Sequence, residues 1–422
     1  MRLTSRLFVV AVIFFISSQI PQLAFAQGVL LRSIGATNAA VGGTATAMPI
    51  DAAGALQWNP GSISALKKNE MTFGLELVQP KSSVTTSDSL VGPNGSTKGE
   101  SGVTPVPNMA FVWSPSPKSP FTYGLGMAAV GGASSLYPLD AGNSVLEKHG
   151  RSATVIVLQV TPTVSAQLTE RLSVGVAPII DLASLNINPM SLGRTVSPLH
   201  GIDDSLTTYG TRYVWGGGFQ IGGLYDFQNH FKAGFMFKSP IWAEKLYFTG
   251  IDGSSGTREN VNFKLNLPMT MSAGISYDGL RDTVIGMDVR YLDYSNAAGL
   301  DRGISSTGKV EGLDWESVFS INLGMERTIT NRLKGRLGYC WNENPIPERS
   351  SILCISAPMI SQHVFSCGFG YSFAKDLELS AAYCHVFEAK LSGPIIQGQP
   401  AAGTVTNVLS ANSLFAGITK RW

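Results

Sequence analysis

The amino-acid sequence predicts an all-β fold, namely a transmembrane antiparallel β-barrel of about fourteen strands with an N-terminal hatch, or plug, inside its lumen. Three observations lead to this prediction. An apolar leader precedes a Gly- and Ala-rich segment, alternating segments of about ten residues fill the remainder, and short turns alternate with long loops. They divide the chain into a signal peptide at 1–26, a hatch at 27–69 and a barrel at 70–422.

The first residues have the three parts of a secretory signal peptide. Arg2 and Arg6 form a basic part, Leu7 to Ile16 an apolar part, and Ala24-Phe25-Ala26 a small-x-small cleavage site. The apolar run is shorter than the ~20 residues that cross a bilayer. We therefore expect cleavage after Ala26 rather than a membrane anchor.

Residues 35–61 differ from everything that follows them. They are rich in Gly and Ala, carry one acidic residue, Asp51, and show no alternation of apolar and polar residues. A small segment without strand periodicity ahead of a long series of strands is what a plug at the start of a barrel would look like. The sequence thus predicts a hatch over residues 27–69.

The strand pattern is clearest at 212–227, where large apolar side chains alternate with small or polar ones. One face carries Tyr213, Trp215, Phe219, Ile221, Tyr225 and Phe227. The pattern recurs at 364–373 and at 283–291, where Asp288 and Arg290 share the polar face and are expected to brace the plug. Strands of a soluble sandwich average ~5–6 residues, whereas strands of a membrane barrel have about ten. The length favours the membrane barrel.

The spacing of the connections supports the same fold. Short turns are predicted near 117–120, 169–171, 228–229, 279–281, 328–331 and 374–376. Longer connections are predicted near 83–103, 131–150, 189–210, 249–258, 297–313, 344–361 and 390–410. Such alternation is typical of the periplasmic and external ends of bacterial outer-membrane barrels. Six turns and seven loops join fourteen strands, and an even number leaves no open edge in lipid.

The last strand ends at the last residue. One of its faces carries Leu414, Ala416, Ile418, Lys420 and Trp422. A terminal aromatic residue on an alternating strand resembles the assembly signal of bacterial outer-membrane barrels. We therefore expect the barrel assembly machinery to recognise this strand through Trp422, although Lys420 departs from the signal, which usually has an apolar residue there.

Charge and motif content exclude several classes of function. The chain has 31 Lys and Arg and 29 Asp and Glu, and the two counts become equal without Arg2 and Arg6. No basic surplus is left for nucleic acid. No GxSxG, HExxH or P-loop motif occurs, so we expect no enzymatic activity, no cofactor and no metal.

The four cysteines lie in the last fifth of the chain, and their spacing matches no zinc site. They are Cys340, Cys354, Cys367 and Cys384. An exported protein can form disulfides, but the pairing cannot be read from sequence. Isolated small hydrophobic residues on strands are an equally good interpretation, above all for Cys367 and Cys384.

These residues resemble the FadL/TodX family of outer-membrane transporters of long-chain fatty acids and hydrophobic compounds. The resemblance covers nearly the whole mature chain. It is carried by 35–61 with Asp51 and Asn59-Pro60-Gly61, by Leu337-Gly338-Tyr339, Asn344-Pro345-Ile346-Pro347 and Ala357-Pro358-Met359-Ile360, and by His363 with Gly368-Phe369-Gly370-Tyr371. The family typically has Asn-Pro-Ala, and Gly61 in place of that alanine loosens the backbone without removing the turn.

The resemblance implies that cargo is captured at the outer loops, moves to a buried apolar site and leaves sideways through a gap at an inward kink of the third strand. The matching strand is Phe121 to Gly132. The residues expected to allow the kink are Gly124, Gly126, Gly131 and Gly132, with packing against the plug as the alternative. Those expected on the hatch near the gap are Asn59, Pro60 and Gly61, with a simple turn as the alternative.

The apolar tip of the mature chain is Val29, Leu30 and Leu31. By the same resemblance it touches the bound ligand, and its displacement would unlatch the hatch. The alternative is an exposed tail.

We therefore expect a multi-pass barrel of the bacterial outer membrane, surrounded by outer-membrane lipid, that acts as a monomer. It would take up hydrophobic small molecules, either fatty acids or hydrocarbons, by passive lateral diffusion. An adhesin or structural barrel that binds a partner through its external loops is the alternative. No loop exceeds about 22 residues, which favours transport. A general diffusion porin is disfavoured because a plug would obstruct its lumen.

Overall fold

In the computed structural model of this 422-residue chain, the structure describes residues 28–66, 68–194, 206–208, 212–252, 255–397 and 399–422. The predicted signal peptide, 1–26, lies outside the described residues, as does most of the predicted loop at 189–210. None of the described helices is both long and apolar enough to cross a membrane.

Fourteen strands form the wall and are numbered in chain order. They are β1 (Glu70–Ser87), β2 (Thr104–Trp113), β3 (Phe121–Tyr137), β4 (Arg151–Gln167), β5 (Leu172–Asn188), β6 (Val214–Asp226), β7 (Phe231–Lys238), β8 (Met269–Leu280), β9 (Thr283–Asp293), β10 (Val318–Thr328), β11 (Leu333–Asn342), β12 (His363–Ala374), β13 (Leu377–Ile396) and β14 (Gln399–Arg421). Each pairs antiparallel with the next, and β1 pairs with β14 from Glu70–Arg421 to Ser87–Thr404, which closes the ring. The predicted fourteen-stranded antiparallel barrel is confirmed.

Side chains alternate between the two faces of the wall, as the pleat of a strand requires. In β12, the side chains of Phe365, Phe369 and Tyr371 are 40–50% exposed, whereas Ser366 is buried. The aromatic face predicted at 212–227 is likewise exposed along its length. The large apolar residues therefore face outward to lipid, and the small and polar residues face the lumen.

All six predicted short turns lie between consecutive wall strands at one end of the barrel, which is the periplasmic end in barrels of this kind. Several of the predicted long loops at the other end differ from the prediction, since β1 continues to Ser87 and β3 to Tyr137. Residues 390–410 continue β13 and β14 up to a tight turn between Ile396 and Gln399. On the exposed face of this part of the two strands, the hydroxyl groups of Ser392 and Thr406 bond each other at 2.8 Å. Polar residues on that face weaken the apolar alternation.

The predicted loop at 249–258 is the tip of an external hairpin between Lys245–Asp252 and Arg258–Lys264. The remaining short strands are Ser96–Lys98, Leu206–Thr208 and Trp242–Ala243, which pair with β1, with the hairpin and with β6. Two 3-10 helices, Tyr294–Asn296 and Glu348–Cys354, lie in the long loops. Together these elements cover the outer end of the lumen.

Residues 28–66, which we call the inner segment, lie inside the barrel. They form α1 (Gly35–Ala40), α2 (Ala52–Trp58) and a 3-10 helix, Pro60–Ala65. Most of these side chains are buried, and their small size lets the segment approach the lumenal face of the wall. The Asp51 side chain caps α2 by accepting a hydrogen bond from the Gly54 amide at 3.1 Å.

Candidate functional site

A buried ion pair fixes the inner segment to β9. Asp288 Oδ2 accepts hydrogen bonds from the main-chain amides of Ala45 and Thr46 at 2.9 and 3.0 Å. Arg290 pairs with Asp288 at 3.2 Å, and its guanidinium lies 3.4 Å from the centre of the Trp58 ring. Both charged side chains are 0% exposed, so each needs the other and the surrounding polar groups. Asp288 and Arg290, which the sequence predicts to brace a plug, thus pair with each other and contact the inner segment.

The Asn59-Pro60-Gly61 turn docks against β5 and β6. Asn59 Nδ2 donates to the Gly223 carbonyl at 2.9 Å, and its Oδ1 accepts from the Gly61 amide at 3.0 Å. A methyl group on Gly61 would lie 2.6 Å from the Gly222 carbonyl oxygen. The structure thus places this turn beside β5 and β6, two or three strands away from the expected position at β3, because the Asn59 amide bonds the wall there.

A chain of ion pairs crosses the seam of the barrel at its periplasmic end. Arg421 pairs with Glu70 and with Glu378, each at 2.7 Å. Arg336 pairs with Glu378 at 2.8 Å and with Glu326 at 2.7 Å. The chain therefore joins β10, β11, β13 and β14 to β1, which holds the first and last strands together.

Glu70 also connects this chain of ion pairs to the inner segment. Its Oε1 accepts a hydrogen bond from the Ala52 amide, the first residue of α2, at 2.7 Å. The neighbouring Asp51 carboxyl is 2% exposed, and its Oδ2 has no hydrogen-bond partner among the described residues. Burial, together with the negative charge of Glu70, raises the pKa of Asp51 to about 7.

An apolar cavity of about 70 Å³ lies between the inner segment and the outer loops. Its lining includes alternate residues of β4 from Arg151 to Val157, a length of about 20 Å at the rise of a strand. The cavity is smaller than the ~150 Å³ of an engineered apolar cavity that binds benzene. A hydrophobic guest therefore has to displace a lining side chain, and Val29 is the residue that the inner segment contributes.

Residues 28–31, which we call the tail, are held by an aromatic pair in an outer loop. The rings of Tyr294 and Trp315 lie 5.2 Å apart, edge to face. A methyl group on Gly28, whose φ is +69°, would lie 2.6 Å from the Tyr294 hydroxyl and 2.8 Å from the Trp315 ring. Burial raises the pKa of Tyr294, although hydrogen bonds from the Leu30 and Val29 main chain oppose the rise. The tail is therefore bound, and Val29 is only 7% exposed.

The wall opens between β2 and β3. Their ladder runs from Trp113–Tyr123 to Asn108–Ala128, and the described residues show no further pairing between these two strands. The edge of β3 is hydrogen-bonded again at Leu136, whose carbonyl accepts a hydrogen bond from the Glu100 amide at 2.7 Å. The unpaired stretch of β3 between Ala128 and Leu136, which we call the window, is about 25 Å long.

The tail fills part of the window. Leu30 forms an antiparallel bridge with Gly131, and the Leu31 amide donates to the Val130 carbonyl at 2.8 Å. The pairing of β3 with β4 shifts register between Ala129 and Gly131, so Val130 is a bulge. The tail thus occupies the place beside β3 that β2 leaves empty, while Val29 lines the cavity.

The four glycines expected to allow a kink in β3 fall into two groups. A methyl group on Gly124 would lie 2.5 Å from Leu56 Cδ2, and one on Gly126 would lie 3.6 Å from Leu56 Cβ. These two pack against the inner segment, which is the alternative given for them. Gly131 and Gly132 adjoin the bulge and the tail, at the window itself.

Sequence reasoning missed two residues that frame the window. Pro105 and Pro107 lie in the half of β2 that has no partner in β3. Proline lacks an amide hydrogen and is found at edge strands or bulges. A Pro-Val-Pro run inside a predicted strand was therefore the available signal for the open edge.

The cysteines form no disulfide. All four are free, and Cys340 and Cys384 lie on the lumenal face behind α1, at 1% and 7% exposure. In the part of the chain that the structure describes, no group of His, Cys, Asp and Glu could hold a metal ion.

The comparisons with known proteins agree with this architecture. Residues 16–407 match the family described as outer membrane protein transport protein (OMPP1/FadL/TodX). No curated protein matches the chain. Three similar solved structures are the Pseudomonas putida toluene transporter TodX (17% identity, 94% of this chain and 100% of that chain, TM-score 0.69), the Ralstonia pickettii toluene transporter TbuX (14%, 93% and 99%, 0.65) and a Pseudomonas aeruginosa FadL homologue (14%, 93% and 99%, 0.68).

Proposed function

This chain belongs to the OMPP1/FadL/TodX family of outer membrane transport proteins, and from that premise we propose that it passes hydrophobic molecules through the cavity and sideways out of the window into the membrane. The family match confirms the predicted resemblance and the outer-membrane location, and it favours transport over the adhesin alternative. Fatty acids and hydrocarbons are both candidate cargo.

This proposal depends on the position of the tail. One end of it, Val29, lines the cavity, and the next two residues bond the open edge of β3. A molecule that enters the cavity and pushes Val29 aside therefore also pulls on the pairing of Leu30 with Gly131. Occupation of the cavity and opening of the window are coupled through three consecutive residues.

The physical reason for a lateral route is the cost of exposing an apolar molecule to water. That cost is about 25 cal/mol for each Å² of apolar surface. The outer face beside the window carries Met127, Leu136, Ile156 and Leu158, each at least 37% exposed to the surrounding lipid. A cargo molecule leaving through the window passes from one apolar environment to another.

We propose further that the inner segment acts as the hatch that closes the lumen below the cavity, with Asn59, Pro60 and Gly61 as an anchor on the wall.

Trp422, which is 51% exposed and stacks on Phe111 with ring centres 6.0 Å apart, is proposed to be the residue through which the barrel assembly machinery recognises β14. Lys420 beside it pairs with Asp376. A complete ring of fourteen paired strands supports function as a monomer in contact with outer-membrane lipid.

The test is a disulfide that locks the tail to β3. Residues paired across antiparallel strands have Cα atoms about 4.5–5.5 Å apart, which is within the range of a disulfide. The Leu30→Cys/Gly131→Cys variant is expected to lose uptake of a hydrophobic probe when oxidised and to regain it on reduction. Leu30→Cys alone is the matched control. Full uptake by the oxidised double variant, with the crosslink verified by mass spectrometry, would overturn the proposal.

A further inference from the structure

The external hairpin formed by Lys245–Asp252 and Arg258–Lys264 has one buried face and one exposed face. On the first strand, Leu246 and Phe248 are 2% and 1% exposed and pack into the main apolar core. Tyr247, between them in the sequence, is 47% exposed. Since neighbouring side chains of a strand point to opposite faces, the exposed face of the hairpin points away from the lumen.

Two lysines lie opposite each other on this exposed face. Lys245 and Lys264 are direct partners across the two strands, and both are exposed. The Cβ atoms of such partners are about 4.5–5.5 Å apart. Among the ion pairs of the described residues, none includes either lysine. Because like charges directly opposite each other destabilise a pair of strands, this pair needs a counter-charge from another molecule.

A third cation lies next to the lysines. The Arg212 guanidinium is 4.6 Å from the centre of the Tyr247 ring, and Tyr247 is the neighbour of Lys245 on the exposed face. Asn262, the partner of Tyr247 on the second strand, adds an amide group to the same face. Glu244, the acid next to Lys245 in the sequence, accepts a hydrogen bond from a main-chain amide of β6 at 3.3 Å. Three cations and an amide donor form a set that suits a phosphate group.

The aromatic residues of β6 show where the apolar part of the membrane ends. Tyr225 and Trp215 are 36% and 59% exposed and lie ten residues apart, or about 33 Å along the strand. At a strand tilt of about 40° they differ in height by about 25 Å, which is the height of the apolar band between the two aromatic girdles of a barrel. Trp242, which pairs with Gly217 of β6, adds to the outer girdle. Lys245 follows Trp242 by three residues, so the lysines lie at the level of the outer head groups.

We propose that the exposed face of the hairpin binds a phosphate group of the glycolipid in the outer leaflet, with Lys245, Lys264 and Arg212 as its cationic partners. The phosphate supplies the counter-charge that the opposed lysines lack, and the acyl chains of the same lipid lie against the exposed aromatic residues of β6. The buried face of the hairpin lines the cavity through Phe263, so the bound lipid holds this cover of the cavity against the membrane. The inference goes beyond the proposed transport and does not depend on it.

The test measures binding of purified lipid A, which carries phosphate groups, to the full-length protein in a non-ionic detergent. Lys245→Gln/Lys264→Gln is expected to bind lipid A about three- to tenfold more weakly at low salt, and the difference should shrink as salt screens the charges. Lys118→Gln/Lys375→Gln, which changes two exposed lysines in the periplasmic turns, is the matched control and should bind normally. Lipid A without its phosphate groups should bind all three proteins equally.

A charge reversal separates loss of binding from loss of folding. Lys264→Glu places an acid opposite Lys245, which should stabilise the hairpin in the absence of lipid. Cleavage by chymotrypsin after Tyr247 should therefore be slower in Lys264→Glu than in the unsubstituted protein. Lipid A should slow that cleavage several-fold in the unsubstituted protein and have no effect on it in Lys264→Glu.

The outcomes distinguish the lipid from other occupants. Equal lipid A affinity in Lys245→Gln/Lys264→Gln and in the control, or a lysine effect that persists with phosphate-free lipid A, would overturn the proposal. If Lys245→Gln/Lys264→Gln kept its lipid A affinity but lost uptake of a hydrophobic probe, the lysines would serve the cargo and the proposal would be wrong. Failure of the unsubstituted protein to take up any hydrophobic probe would instead contradict the proposed function alone.

Discussion

Leu30 and Gly131 form an antiparallel bridge, so the tail of the inner segment lies on the window, a stretch of β3 that its neighbour β2 leaves unpaired. A continuous ladder would close this part of the wall permanently. The tail supplies a single bridge and the hydrogen bond from Leu31 instead. Since each such bond contributes only about 0.5–1.5 kcal/mol, the closure is weak enough for a bound molecule to reverse.

Restoring amide hydrogens to the open half of β2 should narrow the window. The Pro105→Val/Pro107→Val variant can extend the ladder beyond Asn108–Ala128, and two added hydrogen bonds are expected to lower uptake of a hydrophobic probe roughly tenfold. Uptake into intact cells measures the effect. Pro115→Val/Pro117→Val, in the turn that follows the same strand, is the control and should transport normally. Normal uptake by the first variant would contradict a window at this position.

The wall was predictable because large apolar side chains face the lipid, whereas small or polar side chains face the lumen. Phe365, Phe369 and Tyr371 alternate with small residues on β12, and the structure exposes the aromatic set to lipid. Above the membrane both faces of β13 and β14 are less apolar, so the alternation that identifies strands weakens and residues 390–410 were predicted as a loop.

The contacts of the inner segment were predictable only in part. Asp288 and Arg290 were identifiable because two opposite charges on a lumenal strand face need a partner inside the barrel. The partner of Asn59, the Gly223 carbonyl, lies 164 residues further along the chain and depends on the register of β5 and β6. No local pattern carries that information, so the turn was expected beside β3.

Alanine at position 61, the residue usual in the family, should not fit this chain. Its methyl group would meet the Gly222 carbonyl oxygen at 2.6 Å, and such overpacking costs about 1–3 kcal/mol. Ser173→Cys provides a reporter, because the Ser173 hydroxyl bonds the Gly61 carbonyl at 2.7 Å behind the turn. Maleimide should label that cysteine faster in the Gly61→Ala/Ser173→Cys variant than in Ser173→Cys alone. Gly102→Ala in the same Ser173→Cys protein is the control, because open space surrounds Gly102. Identical labelling rates in the Gly61→Ala and Gly102→Ala proteins would refute the steric argument.

Removal of the Arg290 charge should release the inner segment. Arg290→Met leaves the buried Asp288 carboxylate without its cation, a change that costs about 3–5 kcal/mol in comparable buried pairs. Maleimide labelling of the native Cys340 and Cys384, which α1 covers, and leakage of small ions should both increase. The Asp288→Asn/Arg290→Met variant should label more slowly than Arg290→Met because no unpaired charge remains. Unchanged labelling of Arg290→Met would show that the ion pair does not brace the segment.

Docking of the inner segment should weaken as pH rises, because of Asp51. Its carboxyl faces Glu70, Arg336 and Arg421, and burial with the Glu70 charge raises its pKa from 3.8 to about 7. Below about pH 4 the carboxyl is protonated in both the docked and the released segment. Between about pH 4 and 7 the docked state keeps a proton that the released state has lost, so docking loses stability as pH rises through that range and becomes constant above it.

Asp51→Asn isolates this effect, because asparagine caps α2 equally well and does not titrate. Labelling of Cys384 by maleimide, measured from pH 5 to 8 in both proteins, reports the released fraction. The ratio of the two rates cancels the pH dependence of the reagent. That ratio, Asp51 protein over Asp51→Asn, should rise up to about pH 7 and then level off. A ratio that is constant from pH 5 to 8 would mean that the Asp51 carboxyl does not couple proton binding to docking.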